Sequence, residues 1–381
     1  MKVGFAGRWS PSDKHAWSGI YYHTHREIQK YADVIPFHYK WPWHVRERLI
    51  LYKQFQKLQH KNTAVEFLTG YAQWFSKQLE KDLLQTKPDI LFVPSAPQLV
   101  AYCKTNIPII YLTDATFFQL QGYYDSFNNL SAGNIRQGTE LDKRTFEKAT
   151  HCMLASDWAK RSAVNDYHIS ENKITVVPFG ANFDTMPTAA EVKKEKNKVC
   201  RLLFLGVEWE RKGGPLVLET FTLLQQKGFP VQLTIIGCTP PGYVAGRDEV
   251  PGMTVIPFIN KHNPAEAATL YDITRNSDLL FVPTRAECAG IVFCEASAFG
   301  VPSVTTNTGG VSTNVQDGVN GFALPVTAGP AEYAAIIEQV FANDELYRQL
   351  SISSRKKFET ELNWENWGRT FKTIAANILN Q

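Results

Sequence analysis

Short apolar runs alternate with helix-periodic segments along the first half of the chain. Runs of strand length occur at residues 2–6, 34–37, 90–93, 109–111, 151–154 and 174–177. Segments with helical periodicity lie between them, at residues 21–32, 63–85, 135–149 and 156–167. Because strands that alternate with helices form βαβ units, this pattern predicts a parallel sheet covered by helices.

A second series of the same kind begins after a break. The chain reads Val-Pro-Phe-Gly-Ala-Asn at 177–182 and becomes polar at 191–198. Strand runs then return at residues 200–205, 232–236, 253–256, 279–282 and 303–305. Helical patterns recur at 215–227, 264–276 and 291–299, and an amphipathic, aromatic-rich helix is predicted at 364–379.

Two such series in 381 residues favour two domains, because one ordinary core rarely grows to this length. We predict an α/β fold of two Rossmann-like, doubly wound domains that face a cleft. The first spans residues 1–182, the second spans 183–362, and residues 363–381 form a helix that crosses back to the first domain. Ligands of such sheets bind beyond the carboxyl ends of the strands, so the predicted cleft is where chemistry belongs.

Composition narrows the class of protein without naming a reaction. Hydrophobic residues make up 44% and charged residues 20% of the chain, which is typical of a soluble globular protein. The net charge of +3 gives no whole-molecule attraction for nucleic acid. Six scattered cysteines without a CxxC pair favour reduced thiols over disulfides or zinc. With no secretion signal and no apolar run of transmembrane length, the sequence predicts a cytoplasmic protein.

The strand run at 279–282 leads into the most informative segment of the chain. The sequence turns through Glu287 and Gly290 and becomes helical from Ile291. A helix N-terminus has unpaired backbone N–H groups and partial positive charge, and Gly290 lets the backbone approach a phosphate there. Glu287 before the helix and Glu295 inside it can accept hydrogen bonds from sugar hydroxyls. The segment therefore fits a nucleotide-sugar; the alternative for Glu295 is a solvated helix residue.

A pair of cations follows the first strand of the second series. Arg211 and Lys212 lie in a loop that begins at Gly206 and ends in two glycines before the next helix. Adjacent cations offset the charge of a diphosphate leaving group, which Mg²⁺ does in metal-dependent transferases. We predict a diphosphate site that needs no metal ion; the alternative is a solvated basic turn.

Three further positions are candidates for ligand contact. Gly19 ends the loop after the first strand, where a glycine serves close approach of a diphosphate or, alternatively, close packing. Asn260 follows another strand run and borders a predicted base pocket. Asp114 follows the strand at 109–111 and either contacts sugar hydroxyls or caps a helix.

The acceptor is indicated by one segment, residues 39–58, which is basic, aromatic and partly helix-periodic. Such a segment can lie at a membrane surface and suits a lipid-linked or cell-envelope glycan acceptor. This interpretation predicts peripheral contact with the inner face of a membrane. The alternative is a solvated helix that packs its aromatic side chains inward.

Taken together, these segments resemble the retaining glycosyltransferases of family 4, which have the GT-B fold. Residues 206–213 look like that family's diphosphate loop, and residues 287–295 like its E-x7-E motif. The glycines at 309–310 and the DGVNGF at 317–322 look like its GG…DG-x-NGF segment. Residues 177–182 and the terminal helix look like its two inter-domain crossings.

The resemblance implies a role for each candidate residue. Arg211 and Lys212 hold the donor diphosphate, while Glu287 contacts the donor hexose. Glu295 binds the ribose hydroxyls, and Gly19 faces the diphosphate across the cleft. Backbone amides at the helix start contact sugar and phosphate, namely those around Gly290, Ile291 and Val292. The predicted catalytic set is Glu287, Arg211, Lys212 and Asp114, and the donor-binding set also includes Gly206 and Asn260.

The resemblance implies a metal-independent enzyme that moves a hexose from a UDP- or GDP-linked donor to an acceptor hydroxyl, with no further cofactor. Its products belong to glycan, glycolipid or cell-envelope polysaccharide synthesis. Two alternatives stay open: an epimerase or phosphorylase of the same fold, and a non-catalytic nucleotide-binding partner subunit. The second is suggested by Val207, where the family often has arginine, and by the absence of a histidine near Thr113.

Overall fold

The computed structural model describes residues 1–41, 43–192, 196–244 and 250–380. The chain divides into two compact units. Unit 1 consists of Met1–Val177 together with Trp364–Gln381, and unit 2 is Pro178–Asn363. Unit 1 is therefore built from two stretches of chain, whereas unit 2 is one stretch; the sequence placed the first boundary after residue 182.

Each unit contains one parallel sheet of six strands. Unit 1 holds β1 (Lys2–Gly7), β2 (Asp33–His38), β3 (Ile90–Pro94), β4 (Ile109–Thr113), β5 (His151–Leu154) and β6 (Ile174–Val176). Unit 2 holds β7 (Cys200–Leu205), β8 (Val231–Ile236), β9 (Met253–Ile256), β10 (Leu279–Val282), β11 (Ser303–Thr306) and β12 (Gly321–Leu324).

Helices connect the strands. Up to β6 they are α1 (Ile20–Ile28), α2 (Trp43–Leu58), α3 (Thr69–Thr86), α4 (Pro97–Val100), α5 (Phe117–Leu120), α6 (Ala132–Lys148) and α7 (Asp157–Asn165). After β7 they are α8 (Gly214–Gln226), α9 (Pro264–Asn276), α10 (Ile291–Ala298), α11 (Val311–Asn314), α12 (Pro330–Ala342), α13 (Asp344–Thr360) and α14 (Trp364–Leu379). Short 3-10 turns lie at Ala16–Gly19, Val65–Phe67, Asp125–Phe127, Glu171–Lys173 and Ala189–Glu191.

The sheet of unit 1 has the strand order β2-β1-β3-β4-β5-β6. The chain winds from β1 to β2 in one direction and from β3 onward in the other, so the winding reverses between β1 and β3. Strands β3 and β4 are buried along their whole length. Continuous burial is expected for parallel strands that have helices on both faces.

The last helix, α14, packs against α1 and completes the core of unit 1. Trp367 is fully buried, and its ring stacks on that of Phe371 with centroids 6.1 Å apart. Phe92 of β3 meets Trp367 edge-on at 5.8 Å. A Cβ at Gly368 would lie 2.4 Å from Cγ of Glu27, so this glycine lets α14 and α1 approach closely.

The sheet of unit 2 has the order β12-β11-β10-β7-β8-β9. Read from β9, this is the 3-2-1-4-5-6 order of a Rossmann sheet, in which the winding reverses between β7 and β10. Leu202 of β7 pairs in register with Leu279 of β10. The loops that follow these two strands therefore lie side by side at the carboxyl edge of the sheet.

The predicted α/β fold with two Rossmann-like, doubly wound sheets is confirmed. Several elements differ from the prediction. The helix predicted at 63–85 is wrong at its start, because Leu68 has an extended backbone and separates a 3-10 turn from α3. The helix predicted at 21–32 ends at Ile28. The sequence analysis missed β12, a run of four residues that begins with Gly321, and it missed α12 and α13.

Candidate functional site

The loops after β7 and β10 touch each other where the winding of unit 2 reverses. Gly213 ends the first loop with a φ of +80°, and a Cβ there would lie 2.1 Å from the carbonyl oxygen of Pro283. The backbone amide of Arg285 donates to the carbonyl oxygen of Arg211 at 2.7 Å. These backbone contacts fix the position of the side chains that the two loops carry.

Lys212 and Glu287 form an ion pair between the two loops. Lys212 Nζ donates to Glu287 Oε2, and the two side chains are only 11% and 10% exposed. Arg211 lies 3.8 Å from the same carboxylate oxygen and donates from Nη1 to the carbonyl oxygen of Ala286 at 2.8 Å. Its Nε donates to Glu208 at 2.7 Å. The structure thus brings together the predicted Arg211, Lys212 and Glu287.

Gly206 supports this pair through packing. A Cβ at Gly206 would lie 2.9 Å from Cγ of Lys212, so the absence of a side chain leaves room for the lysine stem. The next residue is Val207, whose side chain is exposed. The predicted site residue Gly206 therefore positions Lys212 in this structure.

Helix α10 begins beside Glu287. Gly290 is its N-cap residue, with a φ of +78°, and it contributes no side-chain cap. Below it, the buried amide of Asn314 donates to the carbonyl oxygens of Ala289 and Gly290, the latter at 3.4 Å. Ile291 is half-buried and Val292 is buried. A helix start without a side-chain cap is suited to an anion, because its first N–H groups lack an intrahelical partner.

Glu295 lies inside α10 and pairs with a lysine from another loop. Lys261 Nζ donates to Glu295 Oε1 at 2.5 Å. The glutamate side chain is almost completely buried, whereas Lys261 is 35% exposed. The ammonium group also lies 5.4 Å from the ring centroid of Phe183. Glu295 is therefore not a solvated helix residue, and that alternative is wrong.

Asn260, which the sequence analysis chose from this loop, builds the turn. Its Oδ1 accepts from the amide of His262 at 3.0 Å, and its own backbone amide donates to Glu266 at 2.7 Å. The neighbouring Lys261 is the residue whose side chain reaches the glutamate of α10. Asn260 thus shapes the loop that carries Lys261.

The two candidates of unit 1 lie close to Trp17. Gly19 precedes α1 with a φ of +85°, and the two residues before it, Trp17 and Ser18, also have positive φ values of 50° and 56°. Trp17 Nε1 donates to Asp114 Oδ2 at 3.2 Å. Asp114 does not cap α5, because the N-cap is Thr116, whose hydroxyl accepts from the amide of Gln119. The capping alternative for Asp114 is therefore wrong.

The thiol of the cysteine next to Glu295 is in an environment that makes it unreactive. Cys294 is fully buried, and its Sγ donates to the carbonyl oxygen of Phe179 at 3.3 Å. Burial raises the pKa of the Cys294 thiol well above its ordinary value. A protonated, buried thiol is a poor nucleophile.

No group of three or more His, Cys, Asp or Glu side chains in the described ranges is arranged to hold a metal ion. None of the helices in the described part of the chain is both long enough and apolar enough to span a membrane.

Two supporting residues escaped the sequence analysis. Lys261 stands in a loop segment that had been recognised, but nothing in the sequence pairs it with a carboxylate 34 residues away. Asn314 is buried on α11, and its amide nitrogen holds the turn before α10 while its Oδ1 is unpartnered. Its position shortly after the glycine pair at 309–310 is the sequence feature from which Asn314 could have been predicted as a supporting residue.

Comparison with known proteins gives the family context. Residues 186–357, most of unit 2, match the family model described as glycosyl transferases group 1. The chain is 26% identical over 252 residues to the capsular polysaccharide biosynthesis glycosyltransferase CapM of Staphylococcus aureus, covering 61% of this chain and 64% of CapM. It is 28% identical over 229 residues to a D-inositol 3-phosphate glycosyltransferase of Geodermatophilus obscurus, covering 57% and 49%. The chain therefore spans about half to just under two thirds of the length of these relatives.

Solved structures show the same architecture over the whole chain. A sucrose-phosphate synthase from Thermosynechococcus elongatus superposes with a TM-score of 0.68 at 15% identity, covering 100% of this chain and 99% of that one. HepE from Anabaena, solved with UDP and glucose, gives a TM-score of 0.65 at 15% identity, covering 99% and 100%. This chain accordingly has the GT-B fold, and residues 186–357 of its second unit are similar to the group 1 glycosyl transferases.

Proposed function

We propose that this protein is a retaining glycosyltransferase of the family 4 type, which transfers a hexose from a UDP- or GDP-linked donor to an acceptor hydroxyl. The observation that carries the proposal is the Lys212–Glu287 pair beside the uncapped start of α10, where the winding of the sheet reverses. Doubly wound sheets bind nucleotides and phosphates at this point. The group 1 match and the glycosyltransferase relatives support sugar transfer.

In the proposed complex the donor diphosphate lies between the two cations and the helix start. Arg211 and Lys212 neutralise it from one side, and the amides of Ile291 and Val292 donate to it from the other. Glu287 changes partner when the donor binds. Lys212 turns from the carboxylate toward the diphosphate, and Glu287 then accepts a hydrogen bond from a hexose hydroxyl. The pair thus keeps both charges compensated before the donor arrives, which lowers the cost of holding them nine-tenths buried.

The nucleoside end is assigned to Glu295 and Lys261. A carboxylate accepts hydrogen bonds from two neighbouring ribose hydroxyls. Glu295 is almost completely buried, whereas Lys261 is 35% exposed and is therefore the more accessible of the two. We propose that Lys261 also contacts the ribose. The 2.5 Å bond between Lys261 and Glu295 holds the carboxylate in a fixed orientation.

The proposed reaction needs no protein nucleophile. The acceptor oxygen bonds to the anomeric carbon on the face from which the diphosphate oxygen departs, so the anomeric configuration is retained. The acceptor proton passes to the leaving phosphate oxygen, which gives the glycoside and a nucleoside diphosphate. Arg211 and Lys212 stabilise the charge that develops on the leaving group. With two cations in this role, we propose that transfer proceeds without a metal ion.

Ligand-induced thermal stabilisation tests the donor site. A nucleoside diphosphate at about one hundred times its dissociation constant stabilises a protein by roughly 2.7 kcal/mol. We expect UDP or GDP, but not both equally, to raise the melting temperature with and without EDTA. Lys212→Met should abolish the shift, whereas Lys227→Met, which removes a surface ion pair to Glu338, should retain it. If none of UDP, GDP and ADP shifts the wild-type protein, the donor-site assignment is wrong.

Product analysis separates the alternatives. A transferase releases nucleoside diphosphate, and proton NMR of the product shows the anomeric configuration of the donor. A phosphorylase requires inorganic phosphate, and an epimerase interconverts the sugar without releasing nucleotide. Nucleotide binding without turnover on any acceptor would instead support a partner subunit.

We further propose that α2 lies on an anionic membrane surface. Five large apolar side chains are exposed on its outward face, on an arc that also carries the exposed Glu47 and Gln54. At 3.6 residues per turn these side chains occupy about 140° of the helix surface. They are Trp43, Ile50, Leu51, Phe55 and Leu58, all exposed. Leu49 packs inward against Val65 on the opposite side. Arg46, Lys53 and Lys57 border one side of this arc, and exposed apolar side chains beside cations suit anionic lipid.

Vesicle flotation tests the membrane contact. We expect the protein to float with phosphatidylglycerol vesicles at low salt and less with phosphatidylcholine. Leu51→Gln with Phe55→Gln should remove binding. Leu84→Gln changes an equally exposed leucine on α3 and should leave it intact. Equal flotation of both variants would rule out α2 as the contact. A lipid-linked or cell-envelope acceptor, as the capsular relative suggests, would be met at this surface.

A further inference from the structure

Unit 1 contains a cavity of about 410 Å³ at the carboxyl edge of its sheet. Gly7 ends β1, Lys40 and Trp41 follow β2, and Gln98 lies in α4 just after β3. These three strands are neighbours in the sheet, and the winding reverses between β1 and β3. The cavity therefore occupies the place in unit 1 where doubly wound sheets bind ligands.

The charge in this cavity is positive. Arg8, Lys40 and Arg46 line it, and none of the described residues that line it is acidic. Arg8 has one carboxylate nearby, Glu66, at 3.4 Å. The side chains of Lys40 and Arg46 are exposed. Three cations that converge from β1, β2 and α2 suit an anionic group, which arginine can bind through two parallel hydrogen bonds.

Aromatic rings form the remaining wall. Trp9, Trp41 and Phe75 line the cavity with Tyr39. Trp41 is held edge-on by Phe75, with centroids 4.7 Å apart, and Tyr39 donates from its hydroxyl to Asp82 at 2.6 Å. Rings fixed in this way offer flat apolar faces against which the C–H face of a sugar packs. A few placed polar groups beside such walls are typical of small-molecule sites.

Two buried polar atoms, one in the cavity lining and one behind it, have no partner in the described structure. Gln98 is 4% exposed and its Oε1 accepts no hydrogen bond. Tyr21 is completely buried and its hydroxyl is also unpartnered. That hydroxyl lies against Gly7, because a Cβ at Gly7 would be 1.9 Å from it. Buried polar groups are nearly always hydrogen-bonded, so the unpartnered Oε1 of the lining residue Gln98 indicates a polar ligand or water in the cavity.

We infer that this cavity is the acceptor subsite, and that the acceptor is a saccharide carrying a phosphate or carboxylate group. The inference rests on the proposed transferase function. Arg46 and Lys40 bind the anionic group, Trp41 packs on the sugar ring, and Gln98 Oε1 accepts from a sugar hydroxyl. A neutral saccharide would leave Arg46 and Lys40 unmatched. A bare anion would leave the aromatic wall and Gln98 unused.

Titration calorimetry on the full chain tests the inference, with glucose 6-phosphate, glucuronate, glucose and inorganic phosphate as probes. We expect at least one anionic sugar to bind about tenfold or more tightly than either glucose or phosphate, since each of those lacks half of the contacts. Binding of glucose 6-phosphate alone identifies a phosphate acceptor, and binding of glucuronate alone a carboxylate acceptor. If inorganic phosphate binds as tightly as the anionic sugars, the inference that the acceptor is a saccharide is overturned. If glucose binds as tightly as they do, the inference that the acceptor carries an anionic group is overturned.

Matched variants locate the binding. Arg46→Gln should weaken the anionic sugar about tenfold, whereas Arg48→Gln, two positions away on α2 and outside the cavity lining, should change it less than twofold. Lys40→Gln, at an exposed position, gives a second test that does not disturb the fold. Gln98→Leu should weaken the sugar but not inorganic phosphate. Equal losses for Arg46→Gln and Arg48→Gln would overturn the site.

The same measurements separate the acceptor inference from the proposed transferase function and from the proposed membrane contact. If UDP or GDP stabilises the protein but no anionic sugar binds, the proposed function stands and the acceptor inference fails. If the anionic sugar binds in an Arg46-dependent way but no nucleotide does, the cavity stands and the transferase proposal fails. Arg46-dependent flotation with phosphatidylglycerol, without binding of either anionic sugar, would assign the cations to a lipid headgroup and overturn the saccharide acceptor.

Discussion

The buried carboxyl groups of the unit 2 site and the buried Asp142 of unit 1 are held in different ways. In unit 2, Glu287 and Glu295 are each joined to a lysine from a separate loop, Lys212 and Lys261. Both carboxylates lie on the segment that follows β10, where the winding of the sheet reverses. Each of these two buried carboxylates is therefore held next to a cation, which in the proposed complex a ligand replaces or joins.

In unit 1, Asp142 of α6 is buried among neutral partners. Its Oδ2 accepts from the backbone amide of Phe117 at 2.7 Å, and the hydroxyl of Tyr167 also bonds to it. Tyr111 and Cys152 are the other titratable groups close to it. Burial raises the pKa of Asp142 to about 7, despite the opposing effect of the two hydrogen bonds. This carboxyl group therefore stabilises the fold best when protonated.

The cations show the opposite contrast. In unit 2, Lys212 and Arg211 have carboxylates beside them within the described structure. In unit 1, the cavity at β1–β3 collects Arg8, Lys40 and Arg46 around a lining without acidic residues. In the two proposed sites, a ligand of unit 2 would replace an internal partner, whereas a ligand of unit 1 would join cations that face no acidic lining residue. The predictions below test this contrast.

Removing Lys212 should have the largest effect. Lys212→Ala leaves Glu287 buried with Arg211 at 3.8 Å as its remaining cation. Loss of one member of a buried pair costs roughly 3–5 kcal/mol. Loss of a placed charge at the diphosphate also lowers turnover by about a hundredfold or more, and Glu287→Ala should do the same. Denaturant unfolding and donor turnover measure the two effects.

The double variant Lys212→Ala/Glu287→Ala is the control for this pair. It should recover much of the stability that Lys212→Ala loses, because no uncompensated carboxylate remains, but it should recover no turnover. Near-normal turnover in both single variants would contradict the site assignment.

Asp142→Asn tests the neutral carboxyl of unit 1. The pKa of Asp142 is about 7 in the folded protein and 3.8 in its ordinary state. Between these values the folded chain binds more protons than the unfolded chain, so wild-type stability falls as pH rises from about 4 to about 7, by about 4 kcal/mol in total. The asparagine variant should lack this slope and exceed the wild type at pH 8. Urea unfolding at pH 5 and pH 8 measures it.

An exposed aspartate of the same unit provides the comparison. Asp33→Asn changes the charge by the same amount at an exposed position on β2 and should keep the wild-type pH dependence. If Asp142→Asn also keeps that dependence, the buried carboxyl is not the source of the slope.

Gly213→Ala tests whether the loop contact holds the unit 2 site in place. The new Cβ would lie 2.1 Å from the carbonyl oxygen of Pro283 at a φ of +80°, so we expect a loss of more than about 2 kcal/mol together with weaker nucleotide binding. Gly228→Ala has a similar φ of +71° and open space around its Cβ, and should cost about 1 kcal/mol without affecting binding. Equal costs would show that backbone strain alone matters at Gly213.

Lys261→Met should affect the fold less than Lys212→Ala. Lys261 is 35% exposed, so solvent screens its pair with the buried Glu295 and reduces the cost of losing the lysine. We expect the KM for the donor to rise about tenfold while kcat stays within about twofold, as for loss of a contact made equally in ground and transition states. Steady-state kinetics of Lys261→Met and of the control Lys227→Met, measured side by side, separates a loss of donor contact from a general effect of removing a positive charge. An unchanged KM would remove Lys261 from the nucleoside site.

The sequence predicted elements whose signal is local. The apolar runs gave most strands, and the glycine after Lys212 and the turn at Gly290 marked the starts of α8 and α10. The four-residue β12, which begins at Gly321, was missed because a short strand with a glycine has little periodicity. The start of α3 was misplaced because the extended backbone of Leu68 depends on tertiary packing rather than on helical periodicity.

Side-chain partners across long separations could not be predicted. Glu287 was recognised from its position before a helix, yet its pairing with Lys212 depends on β7 and β10 being neighbours in the sheet. Asn260 was selected and Lys261 passed over, since composition does not tell which of two adjacent side chains turns inward. The cavity of unit 1 collects residues from Gly7 to Leu99, and only the folded sheet brings them together.

The position of α14 has a consequence for biosynthesis. Residues 364–380 are translated after the whole of unit 2, yet Trp367 and Phe371 fill the core of unit 1, whose strands precede unit 2 in the chain. A nascent chain that ends at residue 363 therefore holds all of unit 2 but only part of unit 1. The later half of the polypeptide can complete its core while the earlier half still exposes the apolar surface around Phe92. Nascent-chain proteolysis should find the N-terminal half susceptible until synthesis passes α14.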